Sequence, residues 1–392
     1  MIERESRNDL VSIAIPAYNQ PAYTRKTLQS IVDQDYRPIE VVLSDDCSST
    51  SLPLAKEFAQ FEENDFKIKY HRQSANLGFS GNLAFSVEET TGKYLVPLPH
   101  DNWFTDNGFI AEAVTVLNQN AETYLCVANS VLEDTNEKML KIPGKLNARD
   151  RWVILEGDRF IRLWRKGGMG WTQAMLIDKD IALALGAFYE PFSISPALSE
   201  KLKSAQDDVF SHIFLLASAG DVALNSNVVC RIGRPQDSYS QSEIWKKTKK
   251  KTKFVIFYNL YRSNLVGKNA QAVKDMAKNQ ALDYSEQLFD FKLVRYYHYN
   301  IEMIPIMGLA IIKILRRLVK KIKKRATRLF GSSFGIKTKP EKYRIKLLKK
   351  GKSIEKSVTS RQSTKQTQNP IPFRSRPIPG DMPSSKDESS AA

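Results

Sequence analysis

Several features that would assign a function at once are missing from this chain of 392 residues. Cysteine is scarce. Cys47, Cys126 and Cys230 lie far apart, which excludes a disulfide framework and a cysteine-ligated metal and suits a reducing compartment. Met303–Ile312 carries no charge, but its ten residues fall short of the roughly 20 needed to cross a bilayer. Met1–Leu10 is polar and charged, so no secretory signal is expected. The dense glycine cluster Gly167-Gly168-Met169-Gly170, followed by Trp171, lacks the spacing of a dinucleotide fingerprint or a phosphate-binding P-loop. It reads instead as a wall for close approach or as a hinge. No internal repeat is visible.

What is present begins with an apolar content of 42%, enough for a substantial core. The net charge of +16 is concentrated in one place. Residues 313–352 hold 17 of the 59 lysines and arginines and one of the 43 acids, Glu341, and the remainder of the chain balances. Within that segment Ile311, Leu315, Leu318, Val319 and Ile322 form one helical stripe, while Lys313, Arg316, Arg317, Lys320, Lys321, Lys323 and Lys324 fill the other faces. This composition suits an interfacial helix on an anionic membrane, although a core-packing helix with a solvated basic face has the same pattern. An aliphatic stripe without interleaved aromatics argues against nucleic acid. Thr359–Ala392, rich in Ser, Pro, Gln and Lys, has too little apolar surface to offset its ordering entropy and is expected to be disordered.

The first hundred residues alternate between two periodicities. Val11–Ile15, Ile39–Leu43, Ile68–His71 and Tyr94–Leu98 are short β-prone runs, and Ala22–Asp33, Leu52–Phe61 and Gly81–Thr90 are helical between them. Repeated strand–helix–strand units imply an α/β fold with a mainly parallel sheet. Farther on, Tyr124–Asn129 reads as another strand, Ala174–Ile177 follows the glycine-rich loop, and Ser226–Ile232 closes the compact domain. Arg151–Arg165, Ala182–Leu185 (stopped by Gly186), Val209–Ala219 and Phe254–Phe291 read as helical.

In an open α/β sheet, ligands bind beyond the carboxyl ends of the strands. The run Tyr94–Trp103 ends in His100-Asp101-Asn102, which puts Asp101 at such an edge. A carboxylate there is suited to a hard divalent cation, and equally to capping the next turn. Right-handed crossovers bring Tyr18, Asp46 and Asp101 to the same edge. Asp207-Asp208 opens a helix, where acids are favoured by the helix dipole whatever their function.

Four pieces now stand in order: Val11-Ser-Ile-Ala-Ile-Pro-Ala-Tyr-Asn19, Ile39-Glu-Val-Val-Leu-Ser-Asp-Asp-Cys-Ser48, Asn76-Leu-Gly78 and Gly92-Lys-Tyr-Leu-Val-Pro-Leu-Pro-His-Asp-Asn102. Together they resemble the family 2 glycosyltransferases of GT-A fold, strongly from about residue 9 to 105 and more weakly to about 232. The resemblance implies an inverting transfer from a nucleotide-sugar donor, with UDP the usual nucleotide. Pro16, Tyr18, Asn19, Asp45, Asp46, Asn76 and Gly78 correspond to donor-binding positions, with Asp46 reading the base. Asp101 corresponds to the acid that holds Mn2+ or Mg2+. Asp208, or Asp207 one register earlier, corresponds to the general base. The family commonly has acids where this chain has Pro99, His100 and Asn102, which leaves room for a weaker metal site, with His100 as a further ligand or as a hydrogen-bonding residue. Cys47 stands where a glycine is usual.

The expected organisation is a GT-A domain over 1–232, a helical extension over 233–302, a basic membrane-associating segment over 303–352 and a disordered tail over 353–392. The implied partners are a nucleotide-sugar donor, a glycan or lipid-linked acceptor and an anionic membrane surface, for a cytoplasmic, peripherally attached enzyme of cell-surface polysaccharide or glycoconjugate synthesis. The alternative is a catalytically weak domain kept as a membrane-bound scaffold. A nucleotidyltransferase ranks lower, because Pro16–Gln20 is not a glycine-rich phosphate loop.

Overall fold

The structure is a computed structural model. It describes residues 9–49, 57–62, 65–135, 151–164, 174–188, 209–235 and 243–284, with a few single positions besides. All these segments lie in the first of two compact units, Met1–Leu318.

Nine strands form one sheet: β1 (Val11–Ala17), β2 (Ile39–Asp45), β3 (Phe66–Arg72), β4 (Tyr94–Pro97), β5 (Asn102–Phe104), β6 (Thr123–Leu132), β7 (Trp152–Leu155), β8 (Met175–Asp178) and β9 (Asp221–Ile232). Their order is β3-β2-β1-β4-β8-β6-β9-β5, with β7 also on β9. The block β3-β2-β1-β4 is parallel throughout, as is β6 with β9. The strands β8, β5 and β7 join antiparallel. The α/β architecture read from the sequence is the one observed.

The alternation of side chains explains why the sheet is covered on both faces. Val11, Ile13 and Ile15 of β1 face the same core as Tyr94 and Val96 of β4 and Ala223 of β9. Helices α1 (Pro21–Val32) and α3 (Phe109–Gln119) close that core with Leu28, Ile31, Phe109, Ile110 and Leu117. Ala14, Leu95, Leu125, Val127, Met175 and Leu224 face the opposite core. It is covered by α2 (Gly78–Glu88), α4 (Gly157–Leu163), α5 (Lys179–Ala184), α6 (Val209–Ala219), α7 (Glu243–Arg262) and α8 (Ala270–Asp283). The aromatic residues Phe254 and Phe257 of α7 thus belong to the same core as Phe214 of α6.

Two expectations are corrected. Arg151–Arg165 is not one helix: Trp-Val-Ile-Leu pairs antiparallel with β9 as β7, and the helix starts only at Gly157. Cross-strand packing of an aromatic and β-branched run outweighs helical periodicity there. Gly157 lets α4 approach α6, since an added Cβ would lie 1.9 Å from the Ala217 carbonyl oxygen. The region from Phe254 is two helices, broken before Ala270 with Gly267 at φ +112°. The short strand β5 was not anticipated. Of the expected helix Leu52–Phe61, the described part ends in a 3-10 turn at Ala59–Phe61. The glycine cluster at 167–171 and the segments 303–352 and 353–392 lie outside the described residues, except for Leu315 and Val319, which are exposed helical positions. Among the described residues, no helix is long and apolar enough to cross a membrane.

Glu40 is a buried charge that ties the parallel block together. It accepts hydrogen bonds from the Ser12 hydroxyl at 2.6 Å and the Thr91 amide at 2.8 Å, and pairs with Lys69 Nζ at 2.6 Å. Burial pushes its carboxyl up, but Lys69, Ser12 and Thr91 outweigh burial and hold it below the ordinary carboxylate range. A carboxyl lowered in the folded state stabilises fully above its unfolded value and loses that contribution as pH falls through the lowered one. Glu40→Gln should therefore destabilise the fold by about 2 kcal/mol at neutral pH. Urea unfolding should show the gap to the unaltered protein closing on acidification.

Candidate functional site at the ends of β1, β2 and β4

The sheet order places β1 between β2 and β4, so three loops leave one edge side by side. The loops after β2 and β4 are both bonded to the end of β1. The Asp46 amide donates to the Ala17 carbonyl at 2.8 Å, and His100 Nδ1 lies 3.1 Å from the Pro16 carbonyl. Asn82 of α2, which the sequence reading did not single out, donates to the Ser44 carbonyl at 2.9 Å and the Ala17 carbonyl at 3.4 Å. A buried asparagine on a core-facing helix position was the available signal.

Within this edge the expected donor-binding residues divide into two groups. Tyr18 is 46% exposed, so its ring is open to a ligand. Asp46 is buried, with one oxygen accepting the Leu77 amide at 2.6 Å. Burial pushes its carboxyl up, against the pull of the Leu77 and Gly78 amides. Asn76 supports it by donating to the Asp46 carbonyl at 3.2 Å and accepting from the Gly78 amide at 3.0 Å. Gly78, at φ +73°, is the left-handed residue that opens α2.

Asp45 and Asn19 also make bonds within the protein. Fully buried Asp45 accepts from the Ser48 amide, the Tyr70 hydroxyl and Arg72, each at 2.9 Å. Arg72 also donates to the Ser48 carbonyl at 2.7 Å. Asn19 donates its amide to the Ser48 hydroxyl at 2.7 Å, and its side-chain oxygen accepts the Ser49 amide at 3.0 Å. Tyr70 and Arg72, at the end of β3, were missed because a strand-end arginine carries no sequence signature. Cys47 sits at φ +60°, a left-handed position that accounts for the glycine usual there.

The Asp101 turn is held from two sides. The Thr27 hydroxyl lies 2.8 Å from the His100 carbonyl and 2.7 Å from the Asn102 carbonyl, and the Gly233 amide donates to the Asp101 carbonyl at 2.8 Å. A Cβ on Gly233 would stand 2.3 Å from that carbonyl oxygen, so the approach requires glycine. Burial pushes the Asp101 carboxyl above its ordinary range, with His100 opposing. His100 Nε2 is buried and has no hydrogen-bond partner. Among the described residues, no group of three or more His, Cys, Asp or Glu side chains gathers for a metal. Asp207 and Asp208 lie outside the described residues, just before α6.

Residues 12–182 match the family model described as Glycosyl transferase family 2. By this match residues 12–182 form a glycosyl transferase family 2 domain. Two curated relatives of the family 2 domain are the GalNAc(5)-diNAcBac-PP-undecaprenol beta-1,3-glucosyltransferase of Campylobacter jejuni and the abequosyltransferase RfbV of Salmonella typhimurium. The first is 27% identical over 34% of this chain and 42% of its own length. The second is 32% identical over 30% of this chain and 35% of its own length. The chain thus spans less than half the length of the curated relatives it matches. A crystal structure of Staphylococcus aureus TarS with UDP-GlcNAc superposes with a TM-score of 0.52 at 13% identity, covering 76% of this chain and 78% of that one. It shares the fold.

Breaking the Asp45–Arg72 pair should loosen the loop without unfolding the sheet. Arg72→Ala should lower stability only modestly, since Arg72 is solvated, and urea unfolding should read the loss. It should also raise the reactivity of Cys47 toward a thiol reagent several-fold. Burial pushes the Cys126 thiol well up and that of Cys230 to about 12, so both should stay silent in that assay.

Proposed function

We propose that this protein transfers a sugar from a nucleoside-diphosphate donor, a UDP-sugar, to a hydroxyl of a glycan or lipid-linked acceptor, with inversion. The observation that carries the reading is the bonding of the Asp46 loop and the His100–Asp101 turn to the same strand end, within a domain of this family. The undecaprenol-linked and abequosyl names of the two relatives favour cell-surface glycoconjugates as products.

On this reading Pro16 and Tyr18 line the base, and the Asp46 carboxylate selects it by a hydrogen bond to its edge. A site built to hydrogen-bond a planar edge discriminates strongly against analogues that cannot make the bond. Asp101 fits a divalent cation, Mn2+ or Mg2+: its half-buried carboxylate is next in sequence to His100, whose Nε2 is unpartnered, and such ions complete their shells with substrate phosphates and water. When bound, the cation neutralises charge on the departing diphosphate. The acceptor oxygen attacks the anomeric carbon as the bond to the diphosphate breaks and the electron pair leaves with it. The Asp208 carboxylate, or that of Asp207, takes the acceptor's proton.

Calorimetry and turnover assays with a panel of nucleotide sugars test this. Asp46→Ala should weaken UDP binding at least tenfold, or about 1.4 kcal/mol. Asp101→Ala should abolish transfer while leaving the fold intact. If no nucleotide bound with either cation, the proposal would fail. Pro99, His100 and Asn102, standing where acids are common, support one second reading: a weak or inactive domain serving as a scaffold, for which nucleotide binding without turnover would be the mark.

The basic segment 303–352 supports peripheral attachment to the cytoplasmic face of a membrane. Full-length protein should co-sediment with vesicles containing anionic lipid and be released by salt. Replacing Lys320, Lys321, Lys323 and Lys324 with Gln should reduce binding at least tenfold.

A further inference from the structure

His100 stands out at this edge because one ring nitrogen is fixed and the other is idle. The Pro16 carbonyl only accepts, so Nδ1, 3.1 Å away, carries the proton. That leaves Nε2 with its lone pair, enclosed and without a partner. Buried polar atoms in native proteins are nearly always satisfied, so an orphan beside an expected ligand site marks where the ligand supplies the missing contact. Metal-ligating histidines characteristically donate their other ring N–H to a backbone carbonyl, which fixes tautomer and ring orientation. The next residue in the chain is the half-buried Asp101, whose turn is clamped by Thr27 and Gly233.

We propose that His100 Nε2 is a ligand of the divalent cation that accompanies the donor, making with Asp101 a mixed nitrogen–oxygen site in place of an all-carboxylate one. The inference rests on the transferase reading and goes beyond it by naming the second protein ligand and its consequence for metal choice. Mn2+ accepts an imidazole nitrogen more readily than Mg2+, which prefers oxygen throughout. The site therefore prefers Mn2+ over Mg2+ more strongly than a site built from carboxylates.

Pulsed electron paramagnetic resonance of Mn2+ with UDP and the full-length protein tests this directly. The expected result is nitrogen modulation that changes frequency when histidine is labelled with nitrogen-15. His100→Gln should remove it and weaken UDP-dependent Mn2+ binding at least tenfold by calorimetry. His100→Asp should keep Mn2+ binding without the nitrogen signal, and its preference for Mn2+ over Mg2+ should fall. A Mn2+–UDP complex without histidine coupling, or with coupling that persists in His100→Gln, overturns the ligand assignment while leaving the transferase reading standing. Absence of any UDP-dependent Mn2+ binding overturns both. The labelled unaltered protein decides the matter even if a variant fails to fold.

Discussion

The carbonyls of Pro16 and Ala17 are the constraint on which the site depends. Where a parallel ladder ends, backbone acceptors must find donors elsewhere or remain buried at a cost. Here the donors come from three sequence-remote places: the Asp46 amide, the Asn82 side chain and the His100 ring. Satisfying the end of β1 therefore gathers the loops after β2 and β4 around it. The same bonds that close a strand end bring the base-reading and cation-binding candidates to one edge.

Much of this was readable from sequence because it rests on backbone periodicity. The strands β1 to β4 pair in the order that right-handed crossovers require, and alternate residues divide between two cores as the pleat dictates. Asp46 and Asp101 were found because each ends a β-prone run. What escaped was long-range and polar. The surroundings of Asp45 come from Tyr70 and Arg72 on another strand, and no local pattern announces that pairing. Trp152–Leu155 read as helix because its antiparallel partner β9 lies some 70 residues on.

The division of work within the Asp45-Asp46 pair follows from the pleat. Adjacent residues point to opposite sides, so one carboxylate can be buried against Tyr70 and Arg72 while the next turns toward the Leu77 amide. One acid is tied to Tyr70 and Arg72, and the other to the start of α2, so the loop between them is fixed from both sides.

Gly233 closes the account from the far end of the sheet. It follows β9 directly, and its missing side chain is what admits the carbonyl of Asp101. A position with nothing chemical to offer thus becomes one of the least replaceable in the domain. Any side chain grown there would push the acidic turn outward by more than an ångström, so drift at residue 233 is barred by geometry alone, a veto invisible to a search for reactive groups.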